Sequence, residues 1–294
     1  PSQGDERVLG MQRDYKPSNP WQSTWRFHSR AECMRCHNSW CDVTLGFNLG
    51  QLKGMYFDSH FDKLKLPEFS NQSQVDCLAA LGLIDGQYGE QTVNKLSEGY
   101  DVDERILTAS IADRARSYLH ANCSHCHRKN AGGAVNMLLN IELDLPQTLT
   151  AGVTPQQGGL GLTAPNLIDP GNPWNSVVAL RIAKPGSGHM PIIGPRVVDV
   201  RGLKLIEDWI ARMGGKVSSA AELLPKEWNE VSIKAKLSTV EGALQVLRAV
   251  DENLIKGPLR EKALEFAWHS PQATVQDLFD FLAAFIHRAH RFRH

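Results

Sequence analysis

Net charge is the first thing this chain lacks: Lys plus Arg and Asp plus Glu both total 32. Without a field of one sign, nothing draws the protein as a whole to nucleic acid or to an anionic membrane. Long apolar runs are also missing. None reaches the roughly 20 residues that a transmembrane helix needs, so no membrane span is expected in this chain. The sequence opens at Pro1 with no charged segment followed by an apolar one, so any export signal is expected to have been removed. The chain reads as a mature or excised segment. Cysteine is scarce, at six residues in 294, and four of the six sit in two short runs.

Those runs are Cys33-Met34-Arg35-Cys36-His37 and Cys123-Ser124-His125-Cys126-His127. Each is C-x-x-C-H, the attachment signature of c-type haem. Two thiols add across the porphyrin vinyl groups, and the histidine that directly follows the second thioether reaches the iron. A structural zinc site would use two C-x-x-C pairs at a much shorter separation, and the histidine in both copies would be a coincidence. A thioredoxin-like dithiol would need one such pair after a β-strand, and neither copy follows a β-branched run. The expectation is two haem c groups, attached through Cys33, Cys36, Cys123 and Cys126, with His37 and His127 as proximal iron ligands. Covalent haem attachment implies a periplasmic or otherwise exported location. There the two remaining thiols, Cys41 and Cys77, suit either a disulfide or two buried free cysteines.

The pattern predicts a mainly α fold: two cytochrome c-like haem domains in tandem, the second class I-like, then a small C-terminal helical domain. The expected boundaries are 1–103, 104–216 and 217–294. Ser29-Arg30-Ala31-Glu32 has capping-box form, so a short helix should carry Cys33 to His37. Residues 43–51 hold Gly46 and Gly50 and suit a wrapping segment better than a helix. A short helix is expected from Cys77 to Leu83. Ser110-Ile111-Ala112-Asp113 opens a helix whose apolar face is Ile111, Ala115, Tyr118 and Leu119, running into Cys123. Residues 130–175 are rich in Gly, Pro and Asn, as a loop over a cofactor would be. Further helices are expected from Asn175 to Ile182 and from Asp199 to Gly214-Gly215. Beyond 217, three helical stretches are expected: Thr239–Val250, Leu259–Trp268 and Val275–Ala289. The basic tail His287 to His294 reads as a solvated helix end.

The distal ligands follow from position. Met190, in Gly188-His189-Met190-Pro191, precedes the last helix of the second domain, where a soft thioether would raise the reduction potential. Pro191 restricts the backbone beside it. His189 is the runner-up, because adjacent residues cannot both face one iron. For the first haem, Met55 and His60 follow the motif and Met11 and His28 precede it; Met55 is the choice. His120 is expected on a helix surface and His125 as a variable motif position. Trp174 and Trp209 suit either haem packing or core burial. Arg181 suits a haem propionate or solvent.

Four runs carry a family resemblance: Trp25-Arg26-Phe27-His28-Ser29-Arg30-Ala31-Glu32-Cys33, Gly46-Phe47-Asn48-Leu49-Gly50-Gln51-Leu52, Arg114-Ala115-Arg116-Ser117-Tyr118-Leu119-His120-Ala121-Asn122-Cys123 and Pro170-Gly171-Asn172-Pro173. Over roughly residues 20–280 the chain resembles the dihaem cytochrome c regions of planctomycete-type haem-binding proteins. The resemblance implies a haem-bearing region that is often joined to a sugar-dehydrogenase-like or helical-repeat domain. Many relatives add a further cytochrome module. Here the sequence shows no third C-x-x-C-H, so no third haem is expected.

Three functions compete. The first is an electron carrier, not an enzyme, relaying electrons between redox protein partners or subunits of a larger complex. The second is a dihaem peroxidase-like enzyme with an open first haem. The third is a haem-bearing docking subunit. The carrier leads, because two attachment sites are present and no catalytic constellation is.

Overall fold

The computed structural model describes residues 11–12, 26–41, 45, 48–54, 73–85, 96–97, 109–194 and 197–279. The protein is mainly helical, as expected. The described residues fall into two compact units, one within Arg30–Thr148 and one drawn from Pro1–Ser29 and Leu149–His294. Both C-x-x-C-H motifs lie in the smaller unit.

In the smaller unit, α1 (Arg30–Cys33) leads into the first motif. Asn48 opens α2 (Leu49–Gly54), its Oδ1 accepting from the Gly50 N–H at 2.9 Å. The wrapping segment expected over 43–51 therefore ends in helix, because an Asn cap offsets the cost of Gly50. α3 (Gln74–Ala80) packs on α2 and starts at Ser73, whose hydroxyl accepts from the Asp76 N–H at 3.2 Å. It begins a turn earlier than the Cys77 start that apolar spacing suggests. α4 (Ile111–Cys123) opens as expected at Ser110, whose Oγ accepts from the Asp113 N–H at 3.1 Å. Its buried face is Ala115, Ser117, Leu119 and His120.

The larger unit holds a two-residue antiparallel ribbon, β1 (Met11–Gln12) with β2 (Arg26–Phe27). α5 (Val177–Ala183) is buried on nearly every side. α6 (Val200–Met213) starts at Asp199, whose carboxylate accepts from the Gly202 N–H at 3.0 Å, and ends at Gly214. α7 (Glu230–Lys236), α8 (Val240–Asp251) and α9 (Pro258–Trp268) follow, and residues 273–279 are helical. The rest of the expected last helix and the basic tail lie outside the described residues. One core joins Leu162, Trp174, Val177 and Leu180 to Val240, Leu244, Ile255, Leu278 and Phe279. It draws on both sides of the expected junction at 216/217. Trp174, at 4% exposure, is a core residue.

Between α6 and α8 the same unit buries an ion network. Arg248 bonds Glu207 at 2.6 Å, Asp208 at 2.8 Å and Glu252 at 2.9 Å, with Arg248 and Glu207 both almost fully buried. Burial pushes the Glu207 carboxyl up to about 7, against the pull of Arg248. Among the described residues, no helix is long and apolar enough to cross a membrane.

Candidate haem-attachment site

The two motifs fold into the same backbone turn. In the first, the N–H of Cys36 and of His37 donate to the Cys33 carbonyl at 3.1 and 2.9 Å. In the second, the N–H of Cys126 and of His127 donate to the Cys123 carbonyl at 3.1 and 2.8 Å. Each turn is the end of a helix, α1 or α4, tightened around its last carbonyls. The spacing of thiols and imidazole is thus the same in both copies.

The two turns also pack against each other. Arg128 Nη1 donates to the Trp40 carbonyl at 2.8 Å, and its Nε to the Ser124 carbonyl at 2.9 Å. The Cys41 thiol donates to the His125 carbonyl at 2.7 Å. Arg35 Nη2 reaches the Gly132 carbonyl at 3.4 Å. A Cβ on Gly132 would lie 2.4 Å from the Arg35 carbonyl oxygen, so this approach requires glycine. The Cys36 and Cys126 side chains meet sulfur to sulfur, with Cα atoms 5.5 Å apart. The sulfurs of Cys36 and Cys126 and a ring nitrogen of His125 lie within 4.8 Å of one another. His125, expected as a filler position, is therefore part of this cluster. Burial and the nearby Arg128 and His37 lower its pKa.

Cys33 and Cys123 are free thiols, Cys33 exposed and Cys123 half-buried. Desolvation raises the Cys123 thiol to about 12. Cys41 and Cys77 are both buried, and no disulfide joins them. Burial pushes the Cys77 thiol up. His37 stands on the same exposed stretch as Cys33, Met34 and Trp40, whereas His127 is 8% exposed. Beside His127, a Cβ on Gly133 would lie 2.7 Å from the Cys126 carbonyl oxygen and 3.2 Å from His127 Nδ1, so the close approach of this loop to the second motif requires glycine. Two cysteines and an imidazole on one repeated turn have the donor chemistry for a covalently held haem at each motif. The fit requires Cys36 and Cys126 to be thiols, since a sulfur in a disulfide cannot also form a thioether.

His120 corrects the sequence expectation of a helix-surface residue: it is 5% exposed. Its Nδ1 accepts the Ile141 N–H at 3.1 Å, and its Nε2 lies 3.3 Å from the Asn48 Nδ2. Burial lowers its pKa. Its neighbour Arg116 donates to the carbonyls of Ile141 (3.0 Å) and Leu143. α4 therefore holds the loop after the second motif through two polar side chains that apolar spacing cannot flag.

The distal candidates stand elsewhere. Met190, in the larger unit, is half-buried, and its N–H donates to the Arg181 carbonyl at 2.9 Å. His189 is buried and its Nδ1 donates to the Lys184 carbonyl at 3.0 Å; burial lowers its pKa. Arg181 is half-buried, donates to the Gly188 carbonyl at 3.2 Å, and is lowered by burial. His28 Nε2 accepts from the Gly194 N–H at 3.2 Å. Met55 and His60 lie outside the described residues.

Comparison with known protein families, curated proteins and solved structures finds no match to this chain.

Proposed function

We propose that this chain is a dihaem c-type cytochrome that relays electrons between redox partners. The observation that carries the reading is the repeated turn: two C-x-x-C-H runs with the same pair of hydrogen bonds to the first cysteine carbonyl. In this reading Cys33 and Cys36 hold one haem and Cys123 and Cys126 the other. His37 and His127 are the proximal ligands, Met190 the distal ligand of the second haem and Met55 that of the first. When bound, the haem supplies a one-electron iron couple; the protein supplies ligands, burial and orientation. The two haem-bearing segments, 1–103 and 104–216, precede a helical segment at 217–294. The chain is then the dihaem region of a planctomycete-type haem-binding protein, exported and working with redox protein partners.

The test is retention of haem on the polypeptide after acid–acetone extraction of protein made in cells able to attach haem. Intact mass should exceed the 32.7 kDa of the bare chain by two haem groups. A mass showing no haem, or zinc alone, ends the reading.

A further inference from the structure

Lysine is rarely buried unless its ammonium is paired. Lys184 caps the end of α5 at 4% exposure, and its Nζ pairs with Asp277 Oδ2 on the helix at 273–279. Packing on both sides sets this pairing. Leu180 and Ala183 of α5 share one core with Val275, Leu278 and Phe279, which bracket Asp277 in sequence. The Asp277 side chain is 43% exposed, so the pair joins a buried cation to an anion that still meets water.

Lys184 also begins the segment that carries Met190. Gly186 and Gly188 have φ of +70° and +89°, a backbone that glycine permits but does little to fix. Polar bonds fix it instead. His189 Nδ1 donates to the Lys184 carbonyl at 3.0 Å, and the His189 N–H to the Gly186 carbonyl at 3.1 Å. Arg181 Nη1 donates to the Gly188 carbonyl at 3.2 Å, and the Met190 N–H to the Arg181 carbonyl at 2.9 Å. Residues 184–190 thus close on the last turn of α5. Lys184 ties that closed loop to the helix at 273–279.

We propose that Lys184 and Asp277 are positioning residues for Met190, their ion pair letting the C-terminal helices hold the loop that presents the thioether. This rests on the reading above, with Met190 as distal ligand of the second haem. A thioether binds iron weakly, so its occupancy depends on how firmly the protein holds the sulfur. Freedom returned to the loop must be given up again each time the sulfur binds, which weakens the bond. The helical segment at 217–294 carries no haem motif, yet through this pair it acts on the second haem.

Two variants of the haem-loaded full chain break the pair in different ways. Asp277→Ala leaves Lys184 buried without its anion, whereas Lys184→Met removes the buried charge and leaves Asp277 to water. In each, hydrogen exchange across 185–190 should quicken ~10-fold while α8 keeps its protection. The near-infrared sulfur-to-iron band should weaken, and carbon monoxide should displace the sulfur from the reduced second haem ~10-fold faster. Asp277→Glu should return all three to wild-type values. A folded Lys184→Met chain with wild-type exchange, band and carbon monoxide rate overturns the proposal. Faster exchange spread through α8 with the band intact is a stability role alone, and also overturns it. A loosened loop with unchanged band and rate does the same. In these three outcomes Met190→Ala still removes the band, so the haem reading stands. If the chain carries no haem, or Met190→Ala leaves the band in place, the ligand reading fails and takes the positioning role with it.

Discussion

Arg248 shows how much one residue can hold. Its guanidinium meets Glu207, Asp208 and Glu252, and Lys204 meets Glu252 at 2.7 Å, so α6 and α8 share one buried network. Removing the cation leaves Glu207 buried and unpaired. Arg248→Ala should cost about 3–5 kcal/mol in urea unfolding at pH 8, where Glu207 is ionised, whereas loss of a surface ion pair would cost at most about 1. Glu207 also sets a pH dependence. Its carboxyl lies above the usual 4.5, at about 7, so the folded protein keeps a proton that the unfolded chain has released. Deprotonation therefore favours unfolding, and the contribution present below about 4.5 is lost as pH rises through about 7. Glu207→Gln should flatten the change in unfolding free energy between pH 5 and pH 8; unchanged curvature would refute this. At the proposed haem, Met190→Ala should remove the near-infrared sulfur-to-iron band of the oxidised protein and lower that haem's potential. A band that survives Met190→Ala, with a spectrum that instead responds to His189→Ala, would move the ligand to the neighbouring histidine.

At the scale of elements, what could be read from the sequence was whatever a cap announces. Ser110, Asp199 and Thr239 each stand one residue before a helix and accept from the N–H three residues on, at 3.1, 3.0 and 3.0 Å. Those three helices were located from the sequence to within a residue or so at their starts. α7 was missed. Its cap is Asn229 with Ser232 returning the bond, at 2.9 and 3.0 Å, and a serine in the third position lacks the Glu or Gln that marks the usual pattern. The attachment cysteines were legible because their chemistry fixes their spacing. His120, Arg116 and the contact of Gly132 with Arg35 were not, because their roles depend on backbone brought from far along the chain. α4 offers a direct check, since it ends in Cys123. Ser110→Ala removes the acceptor for the Asp113 N–H and should destabilise the protein by about 1 kcal/mol. Calorimetry reads this as a lower midpoint, while haem content per chain should stay the same. A loss of haem with no loss of stability would mean that Ser110 serves the site and not the helix.

For the whole molecule, the choice between relay and enzyme turns on what the polar groups around the motifs are free to do. A peroxidase needs an acid or base beside an open iron position. Among the described residues, three polar side chains beside the motifs hold backbone. Arg128 is bound to the Ser124 and Trp40 carbonyls, Arg35 to Gly132, and His120 to Ile141. Under the proposed haem reading, side chains held in this way tie the two turns together, and this supports the carrier over the enzyme. The reduced wild-type protein should then bind carbon monoxide poorly and turn over peroxide negligibly. Rapid carbon monoxide binding at one haem would show a vacant or labile sixth position. If peroxide turnover accompanies it and is lost in His37→Ala, the first haem is a catalytic centre and the chain is an enzyme. If carbon monoxide binds but no turnover follows, the position is open without the acid–base partner that peroxide chemistry requires, and the relay stands.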